Sequence, residues 1–425
     1  MESRGNILLS AYYFSPYQGG EAAVGWRVAT ELAKTHDVTV ICGDLSSGAP
    51  IRKDLERYEK EQGLPPGLKY HHIQATGRML KIHDAHALPG LWFLFYEAYR
   101  RWQQEALAAA RELHAARPFD LVHHVNVIGF REPGYLWQLG IPFFWGPVSG
   151  APMVPEAFIA DFGSKEKFRW GTRNFLNRLQ IKMARRSAAA ARAAAKVWAV
   201  SQEDRAVFAN WGVDAEPMLE TGCAAEPGRQ PRTRGAGEPL RICWSGLFQG
   251  IKALPLLLRA IAGFSHKESV RLEVLGDGPE GERWRTLADS LGLKEQVYFH
   301  GMLPRDKALE VMQRSHLLVH SSVKEGTPHV VLEALSFGLP VICHNACGMG
   351  TAVTDSCGFK VPLENPETSI AGFRAALERF HAEPALLERL SRGALARANE
   401  LTWESKIQRI SASYQQVLAR SQQPV

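Results

Sequence analysis

No run of roughly 18 or more apolar residues occurs in the chain, so a membrane-spanning helix is not expected. Met1 to Gly5 is polar and leads straight into the strand-like Ile7-Leu8-Leu9, so a targeting segment is not expected there. The six cysteines (Cys42, Cys223, Cys243, Cys343, Cys347, Cys357) include no C-x-x-C pair and no zinc spacing, so reduced thiols in a cytoplasmic protein are expected. No Asp-x-Asp occurs, and the glycines after the first strand lack the G-x-G-x-x-G spacing of a dinucleotide fingerprint. Charge is not one-sided either. Lys and Arg number 50 against 44 Asp and Glu, a net charge of +6 that admits nucleic acid, an anionic membrane or phosphorylated substrates as partners. What remains, 45% hydrophobic and 22% charged residues over 425 positions, is a globular composition too long for one ordinary core.

The most informative stretch runs from His316 to Gly350. An apolar run ends in small polar residues; Glu325-Gly326-Thr327-Pro328 follows, then a short apolar helix, Gly338-Leu339-Pro340 and a second apolar run. Thr327 is expected as N-cap with Pro328 at the first helical position, and Gly338 just past the helix end. In a parallel sheet this strand, loop, helix and strand put the loop at the carboxyl edge, where open α/β sheets bind ligands. The loop Gly326 admits a close ligand, and the unpaired N–H groups of the helix start suit a phosphate. Glu325 lies in that loop, whereas Glu333 lies among Val330, Val331, Leu332, Ala334 and Leu335. A carboxylate in so apolar a segment needs a partner, which a ligand hydroxyl pair or a nearby Arg supplies.

The two glutamates, spaced E-x7-E and followed by EAL-x-x-G-x-PV, resemble the donor-site signature of the retaining glycosyltransferases of family 4, glycosyl transferases group 1. The resemblance implies that Glu325 faces the transferred sugar and Glu333 binds the ribose hydroxyls of the nucleotide. It also implies that Gly326, Thr327 and Pro328 line the sugar and diphosphate pocket.

The chain begins as strand, glycine loop, helix and strand, with Val24, Val28 and Leu32 at helical spacing. In the resembled family this loop nears sugar and acceptor, which implies such a place for Gly19, Gly20 and Glu21. A loop-rich stretch from Leu45 to Gly90 holds a strand at Tyr70 to Gln74. Leu91 to Arg117 is then helical, and its Trp92, Phe93, Phe95, Tyr96, Tyr99 and Trp102 are expected chiefly as core, with part open to a lipid acceptor. Phe119 to Asn126 is a buried strand ending in polar groups. The family carries a histidine here that touches donor sugar or acceptor. Alternation points His123 and His124 to opposite faces and either matches; His123 is taken as the catalytic candidate. Gly146 to Gly150 resembles the GPVGG segment of some family branches. Val197 to Val200 makes a sixth strand, and Ser201-Gln202-Glu203-Asp204 opens the last helix of the first half.

Between them, Asp161 to Lys196 carries ten basic residues against Asp161 and Glu166, with Phe168, Phe175, Leu176, Leu179 and Met183 near helical spacing. Such a segment is either a basic amphipathic helix for an anionic membrane or a solvated helix packing its apolar side inward. Glu226 to Pro239, rich in Pro, Gly and Arg with nothing to bury, marks the clearest boundary. A second strand-helix series follows. Gly246 and Lys252 match the family's Gly and its diphosphate-neutralising Lys, but Leu247 and Ile251 hold the two positions where its Arg would stand. Gly276 and Gly278 match its G-x-G-P, and Val297 to Leu303, with His300, Gly301 and Met302, matches the strand and loop beside which the base stacks.

The expected fold is α/β of GT-B architecture, two facing Rossmann-like domains with an interdomain cleft. Residues 1–222 form the N-terminal acceptor domain, 223–239 a linker, 240–400 the nucleotide-sugar donor domain, and 401–425 a helix crossing back. The implied activity is transfer of a sugar from a nucleotide diphosphate sugar to a glycan or lipid-linked acceptor hydroxyl with retention, in polysaccharide, glycolipid or envelope glycan synthesis. Glu325, Lys252 and His123 are the catalytic candidates. No metal or other cofactor is required beyond the nucleotide-sugar co-substrate, and nucleic acid is not an expected partner. A cytoplasmic protein, peripheral on the inner face of the plasma membrane, fits the basic segment. Two other readings stay open: an isomerase of the nucleotide-sugar 2-epimerase type, and, on the missing Arg, a non-catalytic membrane-associated nucleotide-binding subunit.

Overall fold

A computed structural model describes residues 4–46, 48–88, 91, 93–224 and 228–421. Trp92, the start of the expected boundary at Glu226 and the last four residues lie outside these. Near-continuous apolar runs, buried on both faces as parallel strands require, form two all-parallel sheets. The first contains β1 (Asn6–Ser10), β2 (Asp37–Asp44), β3 (Leu68–Gln74), β4 (Leu121–His124), β5 (Phe143–Val148), β6 (Lys196–Ala199) and β7 (Glu216–Pro217), in the order β3-β2-β1-β4-β5-β6-β7. The second contains β8 (Leu240–Ser245), β9 (Val270–Leu275), β10 (Val297–Gly301), β11 (Leu317–His320), β12 (Val341–His344) and β13 (Gly358–Val361), in the order β10-β9-β8-β11-β12-β13. Helices cover both faces of each sheet. This is the expected mixed α/β architecture of two Rossmann-like units.

Strand order reverses at β1/β4 in one sheet and at β8/β11 in the other. Connections leave such a strand pair toward opposite sides, so a crevice opens at their carboxyl ends. The loops flanking these crevices are those after β1 and β4, and those after β8 and β11.

The C-terminal helix Trp403–Ser421 lies on the first sheet's side, with Ile407, Ile410 and Tyr414 buried against Leu9, Val28 and Leu121. This packing corrects the expectation for His123, which is fully buried under that helix and takes no part in a cleft surface. Its Nε2 lies 2.7 Å from the Gly146 carbonyl, which can only accept, so Nε2 carries the proton. Nδ1 is then an acceptor for the Tyr414 hydroxyl at 2.6 Å. His124 is buried as well, on the opposite face. The boundary segment also differs from expectation. The Arg232 guanidinium is half-buried and donates to the Phe337 carbonyl at 3.0 and 3.1 Å, closing the C-terminal end of the helix His329–Ser336.

Burial pushes His123 down to about 3, and His124 and His344 down to about 4, so the fold holds these rings neutral. Their folded values lie below the ordinary value of 6.5, so the folded state binds fewer protons than the unfolded chain below that pH. Stability is therefore full above about pH 6.5 and declines as pH falls toward 4. Urea midpoints should drop over that window, and His123→Asn should flatten part of the drop. Tyr414→Phe leaves a buried His123 nitrogen unpaired and should cost about 1–3 kcal/mol at pH 7.

Candidate functional site

The second sheet's carboxyl edge is built on close backbone approaches. Gly276 follows β9 with φ +124°, and a Cβ there would stand 2.0 Å from the Gly246 carbonyl oxygen. Gly278 has φ +152°, and a Cβ there would press on the Phe248 backbone at 2.9 Å. The Gly276 N–H donates to the Gly301 carbonyl at 2.9 Å. The matched glycines Gly246, Gly276 and Gly301 thus form one contiguous ledge. Lys252 closes a short 3-10 turn beside it, and its peptide oxygen accepts from Ser321 Oγ at 2.9 Å. That bond ties the loop after β8 to the loop after β11.

Across this tie Lys252 Nζ makes an ion pair with Glu325 Oε1. His320 Nε2 stands 3.4 Å from the same oxygen, an electrostatic contact rather than a closed hydrogen bond. Burial alone would raise the Glu325 carboxyl, but His320 and Lys252 outweigh it and hold it down at about 2. Glu325 is therefore an anion at every working pH. Glu333 pairs with Arg305 at 2.5 Å; Arg305 is largely exposed, and it opens the helix that follows the exposed Met302. Lys252 and its partner Glu325 therefore stand at the Gly246 end of the ledge, and Met302 follows Gly301 at the other.

Some expected residues are placed differently. Thr327 is not the N-cap: the helix starts at His329 with Pro328 in an extended cap position, and Thr327 Oγ1 accepts from the Glu220 amide at 3.0 Å. The hydroxyl is turned to the other half of the chain, and no side chain caps the helix start. His300 turns to Glu273 at 2.6 Å and lines a separate cavity with Arg241, Arg271 and Arg314. Ile251 packs on the hydrophobic core, whereas Leu247 is half exposed. Gly19 and Gly20 are exposed; Gly20, at φ +62°, starts the helix Glu21–Leu32.

The facing wall comes from the first sheet. Glu21 spends its carboxylate on the amides of Val127 and Ile128, both at 3.2 Å. Burial raises its pKa, and these two hydrogen bonds oppose the rise. Val127 sits at φ +57°, a conformation unfavourable for a β-branched residue, and Glu21 bonds to its amide. Between the walls lies a cavity of about 410 Å³ whose lining includes Glu21, Ser149, Gly150, Glu325 and Gly326. Arg131, Arg173 and Lys324 line it too. Sequence reading missed Arg131 and Lys324 because neither belongs to a motif. Lys324 spans the cleft to the Pro152 carbonyl. Further out, the Glu203 carboxylate accepts from the Cys347 amide at 3.0 Å and Thr351 Oγ1 donates to the Val200 carbonyl at 2.7 Å.

Among the described residues no group of three or more His, Cys, Asp or Glu side chains is disposed to hold a metal ion. No helix among them is long and apolar enough to cross a membrane.

Two facing Rossmann-like units with a cleft between them define the GT-B architecture of glycosyltransferases, and solved structures share it along nearly the whole chain. The lipopolysaccharide outer core galactosyltransferase WaaB superimposes with a TM-score of 0.64 at 13% identity, over 96% of this chain and 98% of its own. Sucrose-phosphate synthase from Thermosynechococcus elongatus gives 0.58 at 19% identity, over 98% and 100%. Anabaena HepE in complex with UDP gives 0.56 at 14%, over 97% and 100%. At the level of sequence, residues 231–394 match the family described as glycosyl transferases group 1. A D-inositol 3-phosphate glycosyltransferase of Acidothermus cellulolyticus is 31% identical over 48% of this chain and 47% of its own length. One of Streptomyces bingchenggensis is 32% identical over 38% and 37%. The chain therefore matches about half the length, or less, of these curated relatives.

The ledge yields a stability test. Gly276→Ala forces a Cβ onto the Gly246 oxygen at an unfavourable φ and should cost more than about 2 kcal/mol in urea unfolding. Gly301→Ala, with open space around its Cβ position, should cost about 1 kcal/mol, for φ alone.

Proposed function

We propose that the protein transfers a sugar from a nucleotide diphosphate sugar to an acceptor hydroxyl, with retention at the anomeric carbon. The observation that carries this reading is the Lys252–Glu325 pair at the β8/β11 crevice. Glycosyl transfer builds negative charge on the departing diphosphate and positive charge on the sugar. Lys252 and the N–H groups at the start of the helix His329–Ser336 answer the first, and the ionised Glu325 answers the second. A donor phosphate competes for Lys252 and frees Glu325 to face the sugar. Retention brings the acceptor oxygen in on the face that the diphosphate leaves, which places the acceptor against the first sheet's wall. Glu333 takes the ribose hydroxyls and Met302 lies beside the base. The diphosphate charge needs no metal when Lys252 and the helix start meet it.

We also propose that the first half docks on an anionic membrane surface through the basic segment. The helix Ser164–Met183 buries Trp170, Asn174 and Asn177 and turns Phe168, Phe175, Leu179 and Met183 outward. These four are 77%, 64%, 42% and 67% exposed, on one stripe of a helix that also carries Lys165, Arg169 and Lys182. Their outward orientation is the reverse of the inward-packing alternative, and suits headgroup insertion with about 1 kcal/mol from each basic residue near an anionic surface.

HepE was crystallised with UDP, so uridine diphosphate and its sugars are the first ligands to screen. Glu333→Gln should weaken nucleotide binding by about 1–3 kcal/mol, whereas Glu325→Gln should depress turnover and leave nucleoside diphosphate binding nearly intact. Equal losses of nucleotide affinity in both would overturn the division of roles. Lys252→Ala should abolish most turnover, and Leu247→Arg should tighten diphosphate binding. Co-sedimentation should show binding to anionic vesicles, lost at high salt and in a Phe168→Ser/Phe175→Ser variant; equal, poor binding to neutral and anionic vesicles would point to a soluble acceptor.

A further inference from the structure

The cleft cavity holds three cations that the donor edge does not use. Arg131 reaches Gln180 Oε1 at 2.6 Å and Asn177 Oδ1, both neutral. Arg173 lies over the Trp170 ring at 5.1 Å, and Lys324 donates to the Pro152 carbonyl. Among the described residues none of the three has a carboxylate oxygen within 4.0 Å of its side-chain nitrogens. The two carboxylates of the same lining are committed elsewhere, Glu325 to Lys252 and Glu21 to two backbone amides. Arg131 and Lys324 are largely buried, and burial depresses both, helped by the mutual repulsion of the cluster. Three like charges that converge on one cavity, two of them largely buried and Arg173 at its exposed rim, repel each other unless an anion joins them.

The cluster also stands at a junction. Tyr96, Arg131 and Arg173 are shared by the cleft cavity and a neighbouring trough of about 560 Å³ that adds Phe168, Arg169 and Leu176. A group held there lies on the first sheet's wall, away from the ledge that receives the donor.

We propose that the acceptor carries a phosphoryl group, bound by Arg131 and Arg173 of the first sheet's wall together with Lys324, which reaches across the cleft from the loop after β11. This rests on the transferase reading for the word acceptor, but the anion site is testable without it. Two guanidinium forks and an ammonium match the oxygens of a phosphomonoester or phosphodiester better than a neutral sugar, which would leave all three charges unanswered. The phosphoryl group belongs either to a soluble phosphorylated acceptor or to a lipid headgroup reaching in along the trough.

The probe is inorganic phosphate, titrated into the full-length protein by calorimetry, with UDP binding measured alongside. Arg173→Gln, an exposed residue with no hydrogen bond to lose, and Lys324→Gln should each weaken phosphate binding about tenfold or more, while Lys252→Met changes it by less than about twofold. UDP binding should show the opposite pattern. Phosphate affinity unchanged in both Arg173→Gln and Lys324→Gln, or lost in Lys252→Met alone, would overturn the site. If phosphate behaves as stated but no nucleoside diphosphate binds, the anion site stands and the transferase reading falls. Displacement of phosphate by glucose 6-phosphate assigns the site to a soluble phosphomonoester. Displacement only by vesicles containing phosphatidic acid, abolished in Arg173→Gln, assigns it to a lipid headgroup.

Discussion

Lys252 and Glu325 hold each other across the switch point of the second sheet, and most of the cleft depends on that contact. The loops after β8 and β11 are brought together by the parallel pairing of the two strands, and the Ser321 hydroxyl closes the gap onto the Lys252 peptide oxygen. Two partly buried ions so placed are costly unless each answers the other. The site is thus already charged and aligned, and under the proposed transferase reading a phosphate that takes the ammonium leaves Glu325 to face a sugar developing cationic character.

The second dependence is between the two halves. On the first sheet's wall Val127 is held in an unfavourable conformation, with Glu21 bonded to its amide. The halves are joined by contacts from separate parts of the chain, Lys324 to Pro152, Thr327 to Glu220, Glu203 to Cys347 and the C-terminal helix over His123. The first three each fix a backbone group of one half with a side chain of the other, and the last joins the side chains of Tyr414 and His123, so the two halves are held by hydrogen bonds as well as by apolar packing. Trp170 adds to this by burying itself in the second sheet's core from a helix of the first half.

Sequence made the two strand-loop-helix series and the glycine ledge legible because their punctuation is local: Gly246, Gly276, Gly278 and Gly338 mark positions that a side chain would obstruct or strain. His123 was misread because alternation gives two faces but not which one a distant helix covers, and Tyr414 lies 291 residues away. Thr327 was misread for a similar reason, a local capping rule overridden by a long-range partner. β7 is two residues long and has no period to detect. The cation cluster was invisible because Arg131, Arg173 and Lys324 come from a loop after β4, a helix and a loop after β11. Only the facing of the two sheets gathers them.

That gathering bears on the departure at the diphosphate position. Ile251 packs its side chain on the core, so a basic side chain there would displace that packing. Leu247 is free to change, yet as it stands the ledge offers Lys252 as its only matched cation. The remaining positive charge of the cleft is on Lys324 and on the first sheet's wall, where Coulomb attraction in a partly desolvated space still acts over several ångströms. The cleft thus carries two separate positive centres, Lys252 for an anion on the ledge and the cluster of Arg131, Arg173 and Lys324 for one against the facing wall, and an anion at one does not consume the charge of the other.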